Sequence, residues 1–434
     1  MQEPFQIWKP YTQQALDPAP ITIERAEGVY LYPADGDRLI DAISSWWVNI
    51  HGHAHPHIAT AVADQAARME HVIFAGFTHE PAQKLADKLR QVTPSGLSHI
   101  FFSDNGSTAV EVALKMALQH WRNRGKPERN KIVALEHAYH GDTVGAMAVS
   151  EASAFTDAFK DWLFPIERVH SAYCYRCPVG LKRETCDIEC LERLESLLDA
   201  RGQEIATVIV EPLIQGAGGM IMHPPEFLKR TRELCTRHGV LLIADEVFTG
   251  FGRTGSMFAC DGADVTPDIM CLSKGLTGGF LPFAATLCTD EVYEPFHAPD
   301  RMRTLFHGHS YAGNPIGCAA AIASLEVFES EPVFERIRTV ERIHRERLPL
   351  LAEHPMVGDA RMIGTVAAME LKANDAGYFS DVKSRLYDFF LSRGVLLRPL
   401  GNILYILPPY VIQSNELHYV YDVVAEAIDH ISES

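Results

Sequence analysis

The chain has 434 residues, of which 47% are hydrophobic and 22% are charged. These values are ordinary for a folded enzyme with one large and one smaller domain, and they argue against a disordered chain. The formal net charge of −17 is spread along the sequence, which disfavours a nucleic acid or an anionic membrane as a partner.

The predicted elements fall into three parts: strands near the N-terminus, alternating strands and helices in the middle, and shorter units toward the C-terminus. Apolar segments at 28–32 and 39–42 predict strands within the first 45 residues. Further strands are predicted at 100–102, 132–135, 207–211, 240–245, 269–273 and 283–288, and helices at 107–122 and 225–238. Buried strands that alternate with helices indicate an α/β fold with a largely parallel sheet.

Beyond the helix introduced by Asn314-Pro315, which is predicted to run to about residue 330, the units become shorter. Apolar segments at 364–371, 395–398 and 403–407 predict a small α+β domain from about residue 328. The predicted units are an N-terminal segment that packs with this small domain, a large domain and the small domain itself, at 1–45, 46–327 and 328–434.

No stretch reaches the ~18 consecutive apolar residues typical of a membrane span. The nine cysteines are odd in number and mostly stand in apolar surroundings, which indicates reduced, buried thiols rather than a secreted disulfide framework. The sequence therefore predicts a cytoplasmic protein that acts on small molecules.

Two predicted strands end in residues with the chemistry of pyridoxal phosphate enzymes. Lys274 follows the strand at 269–273, and Asp245 ends the strand at 240–245. Such a lysine can form a Schiff base with the cofactor aldehyde, while the carboxylate keeps the pyridine nitrogen protonated. Glu211 ends a third strand and is expected at the same edge of the sheet.

Gly106 and Ser107 stand where a loop becomes a helix, and free backbone N–H groups there can bind a phosphate. The alternative is that Ser107 or Asn105 only caps the helix. Tyr139 follows the strand at 132–135, where its ring could stack on a flat cofactor, although an aromatic residue there is more often part of the core.

Three other patterns suggest different sites. The glycines of 250–255 match G-x-G-x-x-G, but they do not open a helix directly after their strand, so a dinucleotide site is disfavoured. The alternating histidines of 51–57 lack nearby carboxylates at ligand spacing, and we interpret them as a solvated loop rather than a metal site. Cys174, Cys177, Cys186 and Cys190 could bind zinc or an iron–sulfur cluster, but we predict no metal.

Taken together, these motifs resemble the class III (omega-amino-acid type) aminotransferases over nearly the whole chain. The resemblance is carried by Ser103-Asp-Asn-Gly-Ser, His137-Ala-Tyr-His-Gly, Glu211-Pro, Ala244-Asp-Glu-Val, Gly250-Phe-Gly-Arg-Thr-Gly, Ser273-Lys-Gly and Gly313-Asn-Pro. It implies the type I fold of pyridoxal phosphate enzymes, with a mostly parallel seven-stranded sheet and a smaller α+β domain built from both termini. Because both Lys274 and Asp245 are present, a protein of this fold that only binds a ligand is disfavoured.

The resemblance also implies roles for individual residues. Lys274 resembles the lysine that holds the cofactor and carries the proton, Asp245 the partner of the pyridine nitrogen, and Tyr139 the stacking ring. The expected cofactor-binding residues are Gly106, Ser107, Tyr139, Glu211, Asp245, Lys274 and Ser310. Ser310, a serine where the family usually has threonine, matches a hydroxyl that reaches the phosphate of the neighbouring subunit, which requires a homodimer.

Three features are similar to the biotin-pathway branch of this family. They are Ile7-Trp-Lys-Pro-Tyr-Thr, with Lys9 where histidine is usual, Ser44-Ser-Trp-Trp followed by Ile50-His-Gly, and Arg398-Pro-Leu-Gly with Tyr405 and Leu407-Pro-Pro-Tyr. The substrate-binding residues that this likeness implies are Tyr11, Trp46, Lys274, Gly308, Arg398 and Tyr405. Arg398 would pair with a carboxylate through its fork, and Arg253 is expected at the mouth of the site.

The implied reaction transfers an amino group from S-adenosylmethionine to 8-amino-7-oxononanoate and gives 7,8-diaminononanoate by a ping-pong mechanism. One alternative is the same product with lysine as the donor. The other is an omega-amino-acid or diamine:pyruvate transaminase of the same family.

Overall fold

The computed structural model describes residues 7–16, 19–372 and 381–432. Its strands are β1 (Ile23–Glu27), β2 (Tyr30–Pro33), β3 (Leu39–Asp41), β4 (Leu97–Ser103), β5 (Lys131–Leu135), β6 (Glu167–Val169), β7 (Ile205–Val210), β8 (Ile214–Gln215), β9 (Ile221–Met222), β10 (Leu241–Asp245), β11 (Ile269–Leu272), β12 (Ala284–Thr289), β13 (Val357–Ile363), β14 (Val366–Leu371), β15 (Val395–Leu396) and β16 (Ile403–Ile406). Its α-helices are α1 (Ser44–Trp47), α2 (Pro56–Arg68), α3 (Glu80–Val92), α4 (Gly106–Asn123), α5 (Val144–Val149), α6 (Glu192–Arg201), α7 (Pro225–His238), α8 (Ala259–Gly262), α9 (Asp290–Tyr293), α10 (Pro315–Ser330), α11 (Val333–Ala352), α12 (Asp381–Ser392) and α13 (Ser414–Ser432).

A seven-stranded sheet in the order β4-β12-β11-β10-β7-β5-β6 positions the candidate site. The pairs from β11 to β6 are all parallel, and β12 alone runs against its two neighbours. Every residue of β7, β10 and β11 is buried, as expected for strands covered by helices on both faces. The predicted α/β fold with a mostly parallel seven-stranded sheet is confirmed.

The helices that cover this sheet begin and end at residues suited to those positions. Asn105 caps α4 by accepting the backbone N–H of Thr108 at 3.0 Å. Pro225 stands in the first turn of α7, and Gly239 ends that helix with a φ of +59°, a conformation that glycine adopts without strain. These signals explain why α4 and α7 match the predicted helices closely.

The two ends of the chain meet in the remaining sheets. β1, β2 and β3 form an antiparallel sheet whose edge strand β3 pairs in parallel with β15. β13, β14 and β16 form a second antiparallel sheet, and one hydrophobic cluster joins Ile40 and Trp47 to residues of this sheet and of α13. The N-terminal strands therefore pack with C-terminal elements, while the exact unit limits at residues 45 and 328 stay predictions.

Among the described residues, no helix combines the length and the apolar character needed to cross a membrane.

Candidate active site

The carboxyl ends of the parallel strands open into a cavity of about 670 Å³. Lys274 lies just after β11, Asp245 ends β10, and Glu211 directly follows β7, and all three line this cavity. Parallel strands bring their carboxyl ends to one edge of a sheet, where ligands commonly bind. The fold thus collects three chemically useful side chains that are distant in sequence.

Lys274 projects its amine toward two aromatic rings. Its Nζ lies 4.8 Å from the ring centroid of Trp47 and 5.6 Å from that of Phe248. Burial lowers the pKa of the Lys274 amine to about 8, although the carboxylates of Asp245 and Glu211 oppose this shift. A lysine with such a pKa is partly uncharged near neutral pH, as a nucleophilic amine must be.

Asp245 is buried, and both of its carboxylate oxygens accept hydrogen bonds. Its Oδ2 lies 2.7 Å from Nδ1 of His140, and its Oδ1 accepts the backbone N–H of Val247 at 3.1 Å. His140 is itself buried, and its backbone N–H donates to Ser150 Oγ at 2.8 Å. The histidine thereby fixes the direction of the carboxylate, a role that the sequence alone did not reveal.

Glu211 connects the sheet to the loop that carries Tyr139. Its two oxygens accept the backbone N–H groups of Tyr139 and Gly216, each at 2.9 Å. Burial raises the pKa of the Glu211 carboxyl to about 7, and it raises the pKa of the Tyr139 phenol well above its usual range. Both side chains are therefore largely protonated below neutral pH, and Glu211 holds Tyr139 at the cavity wall.

The first turn of α4 forms a corner of the cavity, and the two glycines at this corner have no space for a side chain. Gly106 and Ser107 occupy the first two positions of the helix, whose N–H groups have no acceptor within the helix itself. A Cβ at Gly106 would lie 2.6 Å from Val247, and a Cβ at Gly141 would lie 2.3 Å from Ser107 Oγ. Because Asn105 already caps α4, Ser107 does not serve as the cap, and its hydroxyl instead contacts Thr143 Oγ1 at 2.8 Å.

A second group of residues, here called the aromatic rim, consists of Tyr11, Trp46, Phe155 and Arg398. The rings of Trp46 and Phe155 lie 5.8 and 5.5 Å from that of Tyr11, and the Arg398 guanidinium lies 5.0 Å from the Trp46 ring centroid. The Tyr11 hydroxyl donates to Asp142, which lines the cavity, so the rim adjoins the cavity. Within the described residues, Arg398 forms no ion pair, and its guanidinium lies over the Trp46 ring.

The two consecutive tryptophans, Trp46 and Trp47, belong to a left-handed turn. All four residues of α1 have positive φ angles, between 44° and 75°, although none of them is glycine. Each such residue costs about 1–2 kcal/mol, so the surrounding structure must hold the turn. Ser44 Oγ donates to the Leu407 carbonyl at 2.8 Å, and Trp47 Nε1 donates to the Tyr405 hydroxyl at 3.2 Å. As a result, Trp47 is buried beside Lys274, while Trp46 is 41% exposed in the rim.

Several predicted residues lie elsewhere. Tyr405 is buried behind Trp47 and does not line the cavity, because it sits on β16 within the C-terminal hydrophobic cluster. Arg253 is not at the mouth of the site, since it is buried and donates to the backbone carbonyls of Pro408 and Asn49 at 3.0 and 3.2 Å. Gly308 and Ser310 lie in an exposed loop outside the cavity of their own chain.

Local geometry decides whether the glycines of 250–255 and the histidines of 51–57 form sites of their own. The glycines of 250–255 lie in turns that no helix directly follows, so they do not form a dinucleotide fingerprint. The histidines of 51–57 contact separate partners, namely Ser324, Asp41, Glu331 and Glu326. The expected solvated loop was wrong for three of these residues, because His51 is buried, with its pKa lowered to about 3 by burial, and His53 and His55 are half-buried.

The donor set suits pyridoxal 5'-phosphate. Asp245 is a buried carboxylate that lines the same cavity as Lys274, and this cavity of about 670 Å³ offers space for a ring. The crowded corner at Gly106 and Ser107 offers backbone N–H groups to a phosphate. Lys274, Asp245, Ser107 and Tyr139 would then hold the aldehyde, the pyridine nitrogen, the phosphate and the ring face.

Comparison with known proteins places the chain in one family. The sequence profile described as "Aminotransferase class-III" matches residues 11–428. Proteins named adenosylmethionine-8-amino-7-oxononanoate aminotransferase include one from Synechococcus elongatus that is 48% identical over 98% of this chain and 99% of its own length. One from Geobacter sulfurreducens is 44% identical over 98% and 96%.

Solved structures show the same fold. The enzyme of that name from Methanocaldococcus jannaschii is 38% identical, with a TM-score of 0.91 over 98% of this chain and 97% of that one. A PLP-bound amine transaminase from an uncultivated Pseudomonas species is 32% identical, with a TM-score of 0.92 over 98% and 99%. Because the two TM-scores hardly differ, the fold alone does not separate these substrate classes.

Proposed function

This chain belongs to the class III aminotransferase family, whose cofactor is pyridoxal 5'-phosphate, and we propose that it transfers an amino group to 8-amino-7-oxononanoate in biotin biosynthesis. The proposed donor is S-adenosylmethionine, and the product is 7,8-diaminononanoate. The names of the relatives that are 48% and 44% identical support this choice over an amine transaminase.

The observation that carries the proposed substrate is the aromatic rim with Arg398. Long aliphatic acids gain ~0.8 kcal/mol for each methylene buried on apolar surface. Trp46 and Tyr11 offer such a surface, and the Arg398 guanidinium beside Trp46 can pair with a terminal carboxylate through two parallel hydrogen bonds. A substrate that lies along the rim would present its carbonyl toward the cavity and Lys274.

Within the cavity, each side chain has a distinct task. When bound, the cofactor acts as an electron sink for the carbon that loses its proton. Lys274, partly uncharged at neutral pH, is the group that can take and return a proton at that carbon. Asp245, oriented by His140, would keep a nearby ring nitrogen protonated, while Trp47 and Phe248 exclude water from the lysine amine.

We further propose that the active enzyme is a cytoplasmic homodimer. Phe306 and Tyr311 flank Gly308 and Ser310 in the exposed loop, and their side chains are 61% and 64% exposed. Large exposed apolar side chains around polar groups are typical of a protein interface. In a dimer, this loop would bring Ser310 to the phosphate corner of the partner and Gly308 to its substrate.

A panel of half-reactions tests the substrate proposal. The enzyme loaded with cofactor is mixed separately with 7,8-diaminononanoate, S-adenosylmethionine, lysine and β-alanine, and the visible absorption of the bound cofactor is followed. We expect the first two to bleach this band. No response to 7,8-diaminononanoate would refute the biotin-pathway assignment. A response to lysine but not to S-adenosylmethionine would establish lysine as the donor.

The same panel covers the second candidate function. A general omega-amino-acid or diamine transaminase would respond to β-alanine and pass the amino group to pyruvate. The Arg398 and Trp46 pair disfavours a diamine as substrate, because a diamine has no carboxylate to pair with the guanidinium.

A further inference from the structure

Residues 170–191 form an irregular segment that carries four of the nine cysteines. Its only helical turns are two short ones, Cys174–Arg176 and Glu189–Leu191. Cys174 begins the first turn and Cys177 directly follows it, whereas Cys186 precedes the second turn and Cys190 lies within it. The other five cysteines are buried elsewhere, in the cores around the central sheet and its helices.

The four thiols line one small cavity. Its volume is about 20 Å³, room for roughly one water-sized sphere, and no residue that lines it also lines the cavity of Lys274. Most of the remaining lining is apolar: Ala172, Pro178, Val179, Leu181, Ile188 and Pro224. Arg183, whose guanidinium approaches Cys186 Sγ at 4.0 Å, supplies a positive charge at the edge. Two cysteine pairs from two turns thus converge on a space that suits a single ion.

We propose that Cys174, Cys177, Cys186 and Cys190 bind one Zn²⁺ ion as thiolates. A pair of cysteines with two residues between them, followed by a second close pair, is the usual ligand pattern of structural zinc sites. Four protein ligands would complete the tetrahedral shell and leave no position for a substrate. The ion is therefore structural, and the reaction at Lys274 does not pass through it.

The site closes only when the ion binds. Without the ion, no three His, Cys, Asp or Glu side chains in the described part of the chain have metal-binding geometry. Binding replaces four S–H bonds by four Zn–S bonds and releases four protons, with no oxidation or reduction.

The position of this segment gives the ion a mechanical role. Tyr173 and Arg176, which flank Cys174, both hydrogen-bond to Glu370 on β14 of the C-terminal sheet. Arg361 on the adjacent strand β13 donates to the carbonyls of Gly219 and Met220 at 2.6 and 2.7 Å. These carbonyls belong to the loop after Gly216, the residue that donates to Glu211 in the active site. The segment 170–191 thus contacts the C-terminal sheet through Tyr173 and Arg176. Zinc would hold this end of the segment together.

The decisive experiment measures metal directly and does not depend on activity. Protein purified under reducing conditions without chelators is analysed by inductively coupled plasma mass spectrometry, and we expect about one zinc per chain. Metal-free, reduced protein is then titrated with Zn²⁺ against a chromophoric chelator. Failure to compete with the chelator in that titration would overturn the proposal.

Matched variants locate the site. The double variant Cys177→Ala/Cys190→Ala should lose the zinc, whereas Cys318→Ala, which removes a buried cysteine from α10, should retain it. Zinc retained by the double variant would refute the assignment, as would iron with sulfide in place of zinc. Alkylation followed by mass spectrometry gives an independent check, because disulfides among these four cysteines in the isolated protein would also refute it.

Discussion

Replacing Arg398 by alanine tests the part of the site that selects the substrate. The guanidinium lies 5.0 Å from the Trp46 ring centroid and is only half-buried. A hydrogen bond between charged groups contributes ~1.5–3 kcal/mol, so we take about 2 kcal/mol for this solvent-accessible position. At 1.36 kcal/mol for each factor of ten, kcat/KM for 8-amino-7-oxononanoate should fall about 30-fold.

The assay measures kcat/KM for the donor and for the acceptor, and the acceptor is supplied either as the free acid or as its methyl ester. With the free acid, Arg398→Ala should raise the KM of the acceptor far more than that of the donor. With the methyl ester, which has no terminal carboxylate, the same substitution should change kcat/KM little, because the pair no longer exists. Arg393→Ala is a matched control, since Arg393 pairs with Glu426 at 2.8 Å and does not line the cavity. Equal losses for acid and ester, or for donor and acceptor, would refute the role of Arg398.

Three further predictions follow from the described contacts. Lys274→Ala should still bind the cofactor in equilibrium dialysis but lose turnover, and wild-type rates in that variant would contradict its role. His140→Phe should lower kcat and alter the visible spectrum of the bound cofactor, because Asp245 loses its donor at 2.7 Å. His140→Asn should restore part of the kcat and part of the spectrum. An unchanged spectrum in His140→Phe would show that His140 does not position Asp245. Burial lowers the pKa of four histidines to about 3 or 4, namely His51, His120, His223 and His344. The unfolded chain takes up these protons below about pH 6.5 while the folded chain does not, so the free energy of unfolding should fall by up to about 1.4 kcal/mol per histidine and pH unit as the pH drops toward 4. Equal urea midpoints at pH 7 and pH 5 would contradict this assignment of buried neutral histidines.

Much of the central sheet could be predicted because its strands are buried on both faces. Continuous apolar runs mark β7, β10 and β11, and Lys274 and Asp245 stand where these runs end. The direction of β12 could not be predicted, since Ala284–Thr289 is equally apolar whether it runs with its neighbours or against them. Its antiparallel pairing depends on which strands it meets, which is a property of the whole sheet.

The parts of the site that escaped prediction depend on contacts between distant residues. His140 lies 105 positions before Asp245, and nothing near either residue indicates that they meet. Arg253 carries a charge and was expected at the mouth, yet it is buried in the interior, where it donates to the carbonyls of Pro408 and Asn49. The left-handed conformation of Ser44–Trp47 also leaves no local signal, because glycine is the usual residue for it and none is present.

The left-handed turn at Ser44–Trp47 is held by residues that are synthesised much later than the turn itself. The residues that hold it, Leu407 and Tyr405, lie 363 and 358 positions after their partners Ser44 and Trp47. A nascent chain that ends before residue 405 can already contain Lys274, Asp245 and the first turn of α4. It still lacks the groups that hold Trp47 beside the lysine. Trp47 is therefore held beside the reactive amine only after residues 405 and 407 have been made and have folded back onto the N-terminal part.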